Sequence, residues 1–270
     1  MDDLVERFAK KVELPSHNTT ETRMHAYKKK SQKSDNQNIR RQERLNSLKD
    51  NKFNYMMLLR SIPNCNDIYS EEEDETSMDI KVSYPLKIMM SEWFVDVPKN
   101  FKDEWVMKVC PKGRRSLVIF NGNTTKVFSK TGVHISTFYA RKNLVKKSFS
   151  AFDCIYNSNE GIYYVLDVMS WNGTDMYMHD TEFRFYWKAR QFEEQPSLSV
   201  KSRENPYPLK NLPFCNCNRT DIESEIRKWN PEKIDGLLFY HKKTSYTVGT
   251  TPLVMWMKLD QLDEKLKDIK

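Results

Sequence analysis

The charge of this chain comes in blocks, and the blocks decide where a core can form. Residues 23–60 carry eleven basic and three acidic side chains, whereas residues 61–82 carry one basic and seven acidic. Residues 1–22 are mildly acidic, with three basic against five acidic. Runs of like charge repel themselves in a compact state and mark interaction segments and linkers. A packed core is therefore expected only after Lys81. The chain divides into an N-terminal segment at 1–22, a basic arm at 23–62, an acidic linker at 63–82, a globular domain at 83–260 and a tail at 261–270. The net charge of +7 points to an acidic partner, either RNA or an acidic protein surface.

Within the arm, residues 23–38 have almost nothing apolar to bury and are expected to be extended and mobile. From about Ile39 the pattern changes. Leu45, Leu48, Tyr55, Met56 and Leu59 fall in one arc of a 3.6-residue wheel, while Arg40, Arg41, Arg44, Lys49 and Lys52 supply charge. That spacing predicts a helix, which Pro63 closes. A basic helix can also read DNA, but no heptad zipper follows this one, and no DNA partner is expected.

In the globular part, Leu117–Phe120, Ile162–Met169, Phe183–Trp187, Leu237–Tyr240 and Leu253–Met257 are β-branched or aromatic runs of strand length. Thr220 and Glu223 have the spacing of a capping box opening a short helix, and Asn230-Pro231 is expected to end it. Strands dominate, which predicts an α+β domain with a mainly antiparallel sheet.

Several chemistries lack their residues. Cys65, Cys110, Cys154, Cys215 and Cys217 are odd in number and have no repeated spacing, which argues against a secreted disulfide framework. Cys215-x-Cys217 has no second pair for a zinc site. The five histidines form no ligand motif, and neither a Walker A loop nor GxGxxG is present. No cofactor or metal is implied. No segment is apolar enough to span a bilayer as a helix, and MDDLVERFAKK has no signal-peptide core. A soluble intracellular chain with no membrane partner is expected.

Six motifs, in order, carry a resemblance to a known family. They are SEWFVDVP (Ser91–Pro98), VCPKGRRSLVI (Val109–Ile119), YVLDVMSWNG (Tyr164–Gly173), FRFYW (Phe183–Trp187), DGLLFYHKKTSY (Asp235–Tyr246) and TPLVMWMK (Thr251–Lys258). Together they resemble the snurportins, adaptors that carry trimethylguanosine-capped spliceosomal RNA particles into the nucleus. The resemblance implies a cap site at Met90, Ser91, Trp93, Cys110, Arg115, Lys130 and Trp256. Trp256 would stack on the base, Met90, Ser91 and Trp93 would line the methylated ring, Cys110 would form a wall, and Arg115 and Lys130 would reach the phosphates. An aromatic face and a cationic ring suit each other through stacking and cation–π attraction.

The same resemblance implies that the arm binds importin-β through Lys28, Lys29, Lys30, Arg40, Arg41, Arg44 and Lys49. Met1, Leu4, Phe8, Val12 and Leu14 are spaced like the family's anchors for a nuclear export receptor, an exportin. Such a chain would shuttle between nucleus and cytoplasm.

The motifs also look like those of the guanylyltransferase domain of mRNA capping enzymes, which supplies an alternative reading as a residual guanylyltransferase or RNA ligase. Those enzymes carry Lys-x-Asp-Gly-x-Arg. Here Cys110 stands at the nucleophile, Lys112 at the aspartate and Arg115 at the arginine, while Asp167-Val168-Met169 replaces the metal-binding Asp-Gly-Glu. A lysine two places out of register is not a substitute nucleophile. A binding fold without catalysis is expected.

Overall fold

The computed structural model describes residues 30–50, 88–139 and 149–267. Two sheets form the domain. The first has strands β1 (Met89–Trp93), β2 (Trp105–Pro111), β10 (Cys215–Asn216), β11 (Ile234–His241) and β12 (Gly249–Met257), in the order β1-β12-β11-β2-β10. The second runs β5 (His134–Tyr139), β4 (Thr124–Ser129), β3 (Arg114–Asn121), β6 (Phe149–Asn157), β7 (Ile162–Trp171) and β8 (Thr174–Asp175), with β9 (Leu209–Asn211) also paired to β7. Among the described residues only β1–β12 and β7–β9 pair in parallel. The fold is thus α+β with mainly antiparallel sheets.

Alternation along the strands assigns residues to layers. In β2, Val106 and Cys110 enter one apolar cluster while Met107 and Val109 enter another. In β3, Leu117 and Ile119 share the first cluster, and Val118 and Phe120 belong to a third. The first cluster therefore fills the space between the sheets, and the others cover their outer faces. β2 passes into β3 through Lys112-Gly113, so one hairpin-like turn ties the two sheets together.

The predicted strand at Phe183–Trp187 is instead part of a 14-residue helix, Thr181–Glu194. Its buried residues Thr181, Arg184, Phe185, Lys188 and Phe192 follow helical spacing. Phe183 and Tyr186 lie on the exposed side, so aromatics on both faces concealed the 3.6 period. Asp180 caps this helix by accepting from the Phe183 N–H at 2.8 Å. The short helix Arg219–Arg227 starts two residues earlier than the capping-box reading placed it, because Asn218 accepts from the Asp221 N–H. Glu223 pairs with Arg219 and Arg227 instead. The helix ends at Arg227, and Asn230 caps a separate 3-10 turn at Pro231–Lys233.

The arm also departs from expectation. Residues 30–38, expected to be extended, belong to a helix that runs Lys30–Asp50. This helix rests on β12. Arg41, expected to face a receptor, is buried: its Nε donates to the Pro252 carbonyl at 3.3 Å, and its guanidinium lies 5.2 Å from the Trp105 ring centroid. Pairing between β1 and β12 slips between Ser91 and Glu92, from Thr251 to Met255. Pro252 sits inside that bulge, where its missing N–H costs no ladder bond. Arg40 pairs with Glu92 at 2.7 Å, and Gln37 donates to both Glu92 and the Trp93 carbonyl. Lys28, Lys29, Met1, Leu4, Phe8, Val12, Leu14 and Pro63 lie outside the described residues, as does the acidic linker. For Lys30 and Lys49 the backbone is helical. No helix among the described residues is long and apolar enough to cross a membrane.

Candidate functional site

A cleft of about 140 Å³ opens where the two sheets meet, lined by Ser91, Cys110, Pro111, Gly113, Arg115, Ile155, Asp235, Leu238 and Trp256. Each element has a local reason to reach it. β1 and β12, paired in parallel at the sheet edge, deliver Ser91 and Trp256, with Ser91 opposite Thr251 and Trp93 opposite Trp256. β2 and β3 deliver Cys110 and Arg115 from either side of the Lys112-Gly113 turn. A Cβ on Gly113 would lie 2.5 Å from the Tyr156 carbonyl, so only glycine lets this turn close against β6.

Trp256 is held on its strand by two neighbours. The Trp93 ring meets it edge-on, with centroids 4.9 Å apart and planes at 79°, the favoured geometry for an aromatic pair. Gly236 lies against it so closely that a Cβ there would be 2.7 Å from the indole. The indole is only partly buried and contributes to the cleft wall.

Arg115 is fixed in place. Its Nε and Nη2 grip the two carboxylate oxygens of Asp153 at 2.5 and 2.7 Å, and Nη2 also donates to the Met89 carbonyl. Burial disfavours its charge, but the Asp153 carboxylate more than restores it and keeps the guanidinium protonated. Tyr246 donates to the same carboxylate at 2.8 Å and accepts from the Met89 N–H at 3.0 Å. One buried acid thus ties β6, β3 and β1 together around the cleft.

Cys110 is almost wholly buried, and burial pushes its thiol up to about 12. It is a neutral wall and not a thiolate. Asp167 is turned away from the cleft into a fully buried ion pair, its two oxygens taken by Arg184 at 3.0 and 2.8 Å. Two lysines lie beside that pair. Lys108 donates to the Leu166 carbonyl, and Lys188 donates to the Val165 and Leu166 carbonyls. Burial, reinforced by each other's charge, holds Lys108 well below the usual lysine value. His241 packs edge-on against Trp105, and Cys110, Cys154, Cys215 and Cys217 form no disulfide among the described residues.

The structure brings Ser91, Cys110, Arg115 and Trp256 to one cleft. Trp93 meets the Trp256 ring edge-on but is not part of the lining. Met90 packs against the inter-sheet core, and Lys130 is exposed in the turn after β4, outside the lining. Arg115 faces the cleft already paired, so its charge is largely answered by Asp153. Sequence reading missed Asp153 and Asp235. An aspartate inside the apolar run of β6 was the available signal for the first. Asp235 opens a motif that was read for its shape and not for its carboxylate.

Comparison with known proteins gives a family match over this region. The family described as "Snurportin1, m3G cap-binding domain" matches residues 87–259. Among solved structures, the chain is similar to the ligase domain from M. tuberculosis LigD, at 10% identity over 64% of this chain and 59% of that one, with a TM-score of 0.47. It is also similar to mycobacterial DNA ligase D complexed with ATP and MES, at 12% identity, 64% and 60% coverage and a TM-score of 0.47. Chlorella virus DNA ligase-adenylate gives 13% identity, 64% and 67% coverage and a TM-score of 0.44. The chain spans about three fifths of the length of the two mycobacterial ligase structures. The family match takes in every residue that lines the cleft and both sheets that build it, and the chain belongs to the snurportin family through its m3G cap-binding domain.

Proposed function

We propose that this chain binds the 2,2,7-trimethylguanosine cap of spliceosomal small nuclear RNA and serves as an adaptor for nuclear import. The observation that carries the reading is the cleft itself, with the Trp256 indole on one wall and apolar Leu238 and Ile155 beside it, inside the segment that matches the cap-binding family. The indole offers a stacking surface worth about 1–3 kcal/mol per base. The extra methyl groups on the exocyclic nitrogen remove its donors and favour the apolar lining.

The basic arm joins importin-β, and the segment 1–22 joins an exportin for the return, so the chain shuttles between cytoplasm and nucleus. Arg40 and Arg41 are engaged against Glu92, Pro252 and Trp105. Receptor binding through those arginines therefore requires the helix to leave β12.

Binding without catalysis fits the residues present. The position of a nucleotidyl-transfer lysine holds the protonated thiol of Cys110, and the Asp167 carboxylate is consumed by Arg184. A covalent lysine–guanylate adduct formed with labelled GTP and magnesium, seen on a denaturing gel, would overturn this part.

The deciding experiment is a tryptophan-fluorescence titration with trimethylated and monomethylated cap dinucleotides. Strong quenching by the trimethylated form and much weaker quenching by the other is expected. Equal or absent quenching of both would remove the cap-binding reading.

A further inference from the structure

The cleft carries one charge that its own walls do not answer. Arg115 is paired to Asp153, Ser91 is neutral, and the Cys110 thiol is protonated. Asp235 is the remaining ionisable group of the lining. It stands at the start of β11 on the exposed rim, and among the described residues it has no hydrogen bond and no salt bridge. The ionisable groups that face it are Lys112 on the β2–β3 turn, Lys258 after β12, Cys110 on β2 and Arg115 on β3.

A cleft with this balance is not arranged for a phosphate, which would need unpaired cations in its lining. It suits a flat ring that carries positive charge and an N–H at its edge. Methylation at N7 gives guanine both features. The ring becomes cationic, and its N1–H becomes a better donor. That donor survives full methylation of the exocyclic nitrogen, whereas the N–H groups of that nitrogen do not.

We infer that Asp235 is a specificity residue of this site, accepting from the N1–H of an N7-methylated guanine and offsetting the ring's positive charge while Trp256 covers its face. The assignment rests on the cap-binding reading above and deepens it: the site selects a charged base and not only a stacked one. Partial burial raises the carboxyl above its ordinary value although Lys112 and Lys258 draw it back, and an arriving cationic ring would favour the carboxylate further.

The test uses the full chain and two dinucleotides, the trimethylated cap and the same molecule lacking only the N7 methyl, with fluorescence quenching as the readout. The unsubstituted protein is expected to bind the charged ring about tenfold or more tightly than the neutral one, as a hydrogen bond to a charged group implies. Asp235→Asn is expected to lose about tenfold or more in affinity for the charged ring and to treat the two ligands nearly alike. Its melting temperature should match that of the unsubstituted chain, because the carboxylate holds nothing else in place.

Acidification supplies a second readout. As the carboxyl protonates, affinity of the unsubstituted protein for the charged ring should fall. Affinity of the Asp235→Asn protein should not. Unchanged affinity and unchanged discrimination in Asp235→Asn would overturn the assignment and leave cap binding standing. Failure of the unsubstituted protein to bind either ligand would remove both.

Discussion

The Asp153 carboxylate lies fully buried beneath Arg115 and grips the Nε–Nη2 edge of its guanidinium with both oxygens. A buried pair of this kind adds little over an apolar replacement, but breaking it leaves a charge without a partner, at a cost of about 3–5 kcal/mol. Asp153→Ala should therefore lower the melting temperature by roughly 10 °C, taking about 2–4 °C per kcal/mol for a domain of this size. It should also weaken cap binding, since Tyr246 and β1 lose the same anchor. A calorimetric shift under about 2 °C would show that the network is not what fixes Arg115.

Gly236 offers a test that leaves every functional group intact. A single methyl there would press on the Trp256 ring and on the Met257 carbonyl, 2.7 and 2.5 Å away. Crowding of this sort costs about 1–3 kcal/mol. Gly236→Ala should give a folded but less stable protein with blue- or red-shifted tryptophan emission and sharply reduced quenching by the trimethylated cap. Wild-type quenching in this variant would mean that the indole's position is not what the ligand requires.

The arm helix is fastened mainly by Arg41. Arg41→Ala removes the bond to Pro252 and the contact with Trp105, together about 1–2 kcal/mol. Hydrogen exchange should then accelerate across residues 37–48 and remain slow in β11. Glu92→Ala, which releases Arg40 and Gln37, should have the same signature. Equal protection in both variants and the unsubstituted chain would place the helix's anchorage elsewhere.

Lys188 gives a pH-dependent expectation. Burial lowers its amine to about 8, from about 10.4 for a free lysine. Below about pH 8 the folded state carries the buried charge at full cost. Between about 8 and 10.4 the unfolded chain binds more protons than the folded one, so this residue's contribution to stability improves as pH rises. Lys188→Met should stabilise the protein by about 1–4 kcal/mol at neutral pH, and that advantage should shrink toward pH 10. The quantity to follow is the difference in melting temperature between the two proteins, because the buried Tyr240 and Cys110 also titrate at alkaline pH and shift both curves. A difference that stays constant from pH 7 to 10 would remove the lysine from the account.

Much of the sheet was legible because its central strands are dense in β-branched and aromatic residues. Leu117–Phe120, Ile162–Met169, Leu237–Tyr240 and Leu253–Met257 all fall within strands. Phe183–Trp187 misled by the same measure, since composition without spacing does not separate an aromatic strand from an aromatic helix. Ser91, Cys110, Arg115 and Trp256 were found through their motifs, and no local rule would have brought four residues so far apart to one cleft. The packing of Arg41 was not legible because a positively charged helix reads as solvated. Its burial depends on a carbonyl exposed by the bulge at Pro252 and on Trp105, both invisible from the arm's own sequence. Asp153 and Asp235 were passed over since lone acids in a strand and at a strand start have no motif to announce them.

The domain's first strand lies beside its last: β1 begins at Met89 and its parallel partner ends at Met257. Such a pairing closes a loop of the whole domain and is available only after everything between has been made. On the ribosome, Ser91 emerges long before Trp256, and the arm emerges before either. For most of its synthesis the chain displays its basic segment with no ligand site behind it. Loss of a short stretch from the end of β12 would remove that site as surely as loss of β1.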